Sequence, residues 1–116
     1  MSVKVDLQKL NEAKYNIQPL FDLLTSIVEA NTFMLLGKTL LAEKRLDLAE
    51  YYLELAKYRK KIHIATINVL EDILKELRKA LGQFDVWYYS FVRYYTEIIN
   101  VILVAYLKLI QGEEEK

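Results

Sequence analysis

The run KYRKKIH, residues 57–63, concentrates the side chains of this 116-residue chain that are best suited to chemistry. Lys57, Arg59, Lys60 and Lys61 could meet phosphate oxygens while the Tyr58 ring stacks on a base, as in sequence-tolerant nucleic-acid binders. His63 is the only histidine. A metal centre asks for several imidazoles, thiolates or clustered carboxylates, and the Glu-x-x-His pairs of two-metal helical proteins do not occur. A haem held between His63 and Met34 would rest on two isolated residues. Glu43, Glu50 and Glu54, with Glu71, Asp72 and Glu76, could bind magnesium, but Glu50 and Glu54 fall on a polar helix face that looks outward. Ser2, Ser26 and Ser90 have no neighbouring His and Asp to activate them. Cysteine is absent, which removes thiolate chemistry and disulfides together, and no glycine-rich phosphate loop is present. The inventory predicts a protein that is not an enzyme and needs no cofactor or metal.

A second concentration is aromatic. VWYYSFVRYY, residues 86–95, carries the only tryptophan and five further rings, four of them tyrosines. Rings at helical spacing ordinarily fill a core. Tyrosine adds a hydroxyl that keeps a polar partner while the ring is hidden, a combination that interfaces between folded surfaces select. Trp87, Tyr88, Phe91, Tyr94, Tyr95, Ile98, Ile102 and Tyr106 are the expected interface. Arg93 is the only cation in the stretch, so base stacking there has little electrostatic support.

These residues must be positioned by helices. No window alternates apolar and polar residues for long, and turn residues are scarce, with three glycines and one proline, so a β architecture lacks punctuation. The expected fold is all-α, an up-down antiparallel bundle of three long helices in one domain. The first helical region runs from about Asp6, a suitable N-cap, to about Glu43. Pro19 should kink or break it near residues 15–18 and leave a short N-terminal helix. A link at residues 44–46 then leads to a second helix capped by Asp47 and closed at Gly82. Its stripe is set by Leu48, Tyr52, Leu55, Ile62, Val69, Ile73, Leu77 and Ala80, widened by Leu53, Ala56, Ile67, Leu70 and Leu74. The third helix, roughly Phe84 to Gln111, is apolar around most of its circumference, so it needs cover on more than one side. Residues 112–116 read as a frayed acidic tail.

Charge and hydropathy set the remaining bounds. Sixteen basic and sixteen acidic residues cancel, so any charged recognition is local. The segment from Lys44 to Leu81 alone is positive, with nine basic against six acidic residues. The longest uncharged apolar run, Ile98 to Leu107, is about half of a membrane-crossing helix, and the N-terminus lacks a secretory apolar segment. A cytoplasmic location is expected, with a thermophile-like composition and an archaeal or viral setting. Leaving the third helix half-covered would forgo more burial energy than a typical domain's whole stability. Homodimerisation through that helix, with docking of a protein partner, is therefore the expected function. The alternative is a nucleic-acid-binding accessory subunit that uses Lys57, Tyr58, Arg59, Lys60 and Lys61.

Overall fold

The computed structural model describes residues 6–112. Four α-helices follow one another: α1 (Leu7–Leu35), α2 (Thr39–Arg59), α3 (Ile64–Lys79) and α4 (Phe84–Gln111), with no strand among the described residues. The all-α expectation holds, but the bundle has four helices rather than three with a short leader. The expected acidic tail beyond Gly112 lies outside the described residues.

Three local events account for the difference. Gly37 does not lie inside a helix: at φ 71° it ends α1, with the Gly37 amide donating to the Met34 carbonyl and the Lys38 amide to Phe33. That bonding pattern is a Schellman closure, which satisfies carbonyls the helix end would otherwise orphan. The first link is therefore Leu36 to Lys38, not residues 44–46, and Asp47 sits within α2 instead of capping it. The expected second helix is also divided. Lys60 adopts a left-handed conformation (φ 56°) and closes α2, and His63 Nδ1 accepts from the Ala65 amide to start α3. Neither residue type is the usual one for its task, since glycine favours the first and Ser, Thr, Asp or Asn the second.

Pro19 is the third event, and the expected break is absent. The helix continues through it. A proline at this position has no N–H for the carbonyl of Tyr15 four residues earlier. Arg59 at the end of α2 supplies the missing donor: its Nη1 donates to the Tyr15 carbonyl at 2.6 Å, and its guanidinium lies 4.0 Å from the centroid of the Tyr15 ring. The Asp6 cap is where the sequence places it, with Oδ1 accepting from the amides of Gln8 and Lys9.

Cross-links between helices fix the directions. Glu29 pairs with Arg45 and Tyr15 with Arg59, so α1 and α2 run antiparallel. Arg78 reaches Asp47 and Glu50, and Lys57 reaches Glu71, so α2 and α3 do too. Trp87 meets Asn31 and Tyr106 meets Phe21, which lays α4 antiparallel along α1. Each helix packs against two neighbours in a ring, α1 against α2 and α4, α3 against α2 and α4, and the α1–α2 seam is the most extensive. In that seam α2 contributes Ala42, Leu46, Ala49, Leu53 and Ala56, all buried. The spacing of four and three keeps them on one face, and alanines there let two helix axes come close.

Candidate functional site

The outer face of α4 follows from the ring arrangement. With only α1 and α3 as neighbours, α4 buries one line, Trp87, Ile98, Ile102 and Ala105. Trp87 is fully enclosed, and its indole N–H donates to Asn31 Oδ1 at 3.0 Å. These positions belong to the chain's own core, so Trp87, Ile98 and Ile102 cannot meet a partner as the sequence leads one to expect. Phe91, Tyr94, Tyr95 and Tyr106 are half-buried, and all but Tyr95 pack against that core. Tyr88 is half exposed.

An uncovered strip runs beside the core line, and Val86 and Val104 are exposed away from it. Steps of four and three carry the strip from Tyr88 through Val92, Tyr95, Ile99 and Leu103 to Leu107 and Ile110, on one side of the helix. Tyr88, Val92, Leu103 and Leu107 are exposed by 50, 51, 49 and 55%, while Tyr95, Ile99 and Ile110 are half-buried. Rings along the strip are held by neighbours: Phe84 stacks on Tyr88 with centroids 6.0 Å apart, and Phe91 lies 5.3 Å from Tyr95. Exposed Val28 of α1 lies two turns from Phe21, which contacts Tyr106, and so extends the surface towards α1. Polar residues Arg93, Thr96, Asn100 and Gln111 take the solvent side. Val92, Ile99, Leu103 and Leu107 were concealed among the apolar residues of the sequence, and no periodicity separates them from Ile98 and Ile102 until the neighbours of α4 are known.

The basic run does not form one patch. Lys57 donates to Glu71 Oε1 at 3.1 Å and to Glu54 Oε1 at 3.2 Å. Those two hydrogen bonds, Glu71 foremost, hold its ammonium above the ordinary lysine value. Arg59 is engaged at Tyr15. Tyr58 is 83% exposed, and Lys60 and Lys61 are exposed in the α2–α3 link. His63 caps α3. Among the described residues no group of three or more His, Cys, Asp or Glu side chains could hold a metal ion. No helix among them is long and apolar enough to cross a membrane. A scan against protein-family models finds no match to this chain, and neither does a search of curated proteins or of solved structures.

Proposed function

We propose that this chain is a non-enzymatic helical bundle that acts by self-association, with a second copy docked on the outer strip of α4. The supporting observation is the run of half-exposed side chains at Tyr88, Val92, Leu103 and Leu107 along one side of a helix whose enclosed line is Trp87, Ile98, Ile102 and Ala105. Together with Phe84, Tyr89, Val28 and the half-buried Tyr95, Ile99 and Ile110, the strip offers roughly 600 to 800 Å² per copy, taking large side chains at about 150 to 200 Å² each. That matches the area per partner of a specific interface. Scattered apolar residues are ordinary on a surface, but a contiguous strip of this size marks a contact. Tyrosine hydroxyls at its margin keep water partners while the rings are covered.

A nucleic-acid role for residues 57–61 has weaker support, because Lys57 and Arg59 are already held by groups of the same chain.

Sedimentation equilibrium tests the reading. The wild-type chain should be a dimer at micromolar concentration, and a V92E/L103E variant should be monomeric with unchanged helical signal. Each dimer would bury four unpaired carboxylates, at several kcal/mol apiece, which raises the dissociation constant by more than about 1,000-fold. A wild-type chain that stays monomeric at about 100 μM, where even weak specific pairs associate, refutes the proposal.

A further inference from the structure

One end of the bundle carries a cleft of about 670 Å³, where α1 begins, α2 turns into α3 and α4 stops. Lys9, Glu12 and Asn16 of α1 form one wall, Lys60, Lys61 and His63 of the link form another, and Leu109 of α4 belongs to a third. Lys9 and the two link lysines are some fifty residues apart in sequence, yet they line one concavity. Four other cations find carboxylates, Lys57 with Glu54 and Glu71, Arg78 with Asp47 and Glu50, Lys79 with Glu76, and Arg45 with Glu29, whereas exposed Lys14, Lys38, Lys44 and Lys75 stand apart, outside this cleft. Among the described residues no carboxylate lies within ion-pair distance of Lys9, Lys60 or Lys61, although Glu12 shares the cleft. Like charges gathered in a concavity repel, and an anion between them removes that repulsion. The amino end of the sixteen-residue α3 opens beside the link and adds its partial positive charge, while the opposite partial charge at the carboxyl end of α4, Gly112, lies next to Lys9.

We propose that this cleft binds a small diphosphate attached to a hydroxyl-bearing body, such as a nucleoside or sugar diphosphate. Lys9, Lys60 and Lys61 take the phosphate oxygens. Asn16 and Glu12 offer an amide and a carboxylate to hydroxyl groups, and Ile62 and Leu109 give the body an apolar floor. The volume lies in the range of small-molecule sites. This assignment is independent of the α4 strip, which follows a different face.

Titration of the full-length chain with pyrophosphate and with ADP, followed by calorimetry and by amide NMR shifts, tests it. Both probes should bind saturably and more weakly as salt is added, with shifts centred on Lys9, Asn16 and residues 60–64. K60Q/K61Q should weaken ADP binding at least about tenfold, the loss expected when charge-assisted hydrogen bonds go. K9Q, on a different helix, should weaken it several-fold, and a control K44Q/K75Q with the same charge change should alter it less than about twofold. Circular dichroism of each variant confirms that the helices are intact. No saturation by about 10 mM pyrophosphate, or equal losses in the control, overturns the proposal. So does a single-stranded oligonucleotide that binds at least about tenfold more tightly than ADP, because an extended strand would then be the true ligand.

Discussion

Replacing Arg59 by alanine tests the clasp that allows α1 to run straight through Pro19. The change removes two interactions, the hydrogen bond to the Tyr15 carbonyl and the cation placed over the Tyr15 ring. A hydrogen bond from a charged donor is worth about 1.5 to 3 kcal/mol when enclosed. Tyr15 is 63% exposed, so water replaces part of it and roughly 1 kcal/mol is the expected share. The exposed cation–π contact adds about 0.5 to 1 kcal/mol. Arg59→Ala should therefore destabilise the fold by roughly 1.5 to 2 kcal/mol, a fall in Tm of about 6 to 8 °C at this chain length. The decisive measurement is a cycle with Pro19→Ala. That change restores an N–H for the Tyr15 carbonyl and relieves a helix-interior proline, worth about 3 kcal/mol, against roughly 1 kcal/mol of lost packing. In the Pro19→Ala background Arg59→Ala should cost only the stacking, which leaves a coupling of about 1 kcal/mol. Urea unfolding followed by ellipticity and by Trp87 emission gives all four stabilities. If the two changes add to within about 0.3 kcal/mol, Arg59 is not standing in for the missing amide and the explanation is wrong.

Two further perturbations address the packing and the charge network. Trp87→Phe removes the hydrogen bond to Asn31 and part of a fully enclosed ring, so it should cost about 2 to 3 kcal/mol in urea titrations followed by ellipticity; a change under about 0.5 kcal/mol would contradict the observed burial. Lys57 has its folded-state pKa raised above the ordinary 10.5 by Glu71 and Glu54. Its favourable contribution is complete below that value and is lost as pH rises through the higher folded one. Urea midpoints measured at about pH 9 and about pH 11 should therefore fall, and Lys57→Met should flatten part of that fall.

Sequence made some of this architecture legible and hid the rest for physical reasons. The span of α4 was readable because Gly82 and Gly112 bracket an uninterrupted apolar helix, and the Asp6 cap because an acid precedes the first apolar turn. The division between α2 and α3 was not, because a lysine takes the left-handed position and a histidine the cap, both against residue preference. Pro19 misled because the donor that repairs its helix is forty residues downstream, beyond any local pattern. The α2 stripe was read through its large residues Leu48, Tyr52 and Leu55, which are half-buried, whereas Ala42 and Ala49 lie fully enclosed. Small side chains carry little hydrophobic signal where helices approach most closely. On α4, the aromatic density of the sequence could not separate enclosed Trp87 from open Tyr88 without the position of α1.

The alternation of alanine and leucine on α2 has one more implication. Ala42, Ala49 and Ala56 repeat every seven positions, and so do Leu46 and Leu53 between them. Sliding α2 along α1 by two turns would set alanine where alanine was and leucine where leucine was, so the buried face by itself barely distinguishes the two alignments. The information that forbids the slip sits at the edges: a three-residue turn at Gly37 too short to give way, the Arg59 grip on Tyr15, and the Arg45 pair with Glu29. In this molecule the interior supplies cohesion, and a few exposed polar contacts choose the alignment.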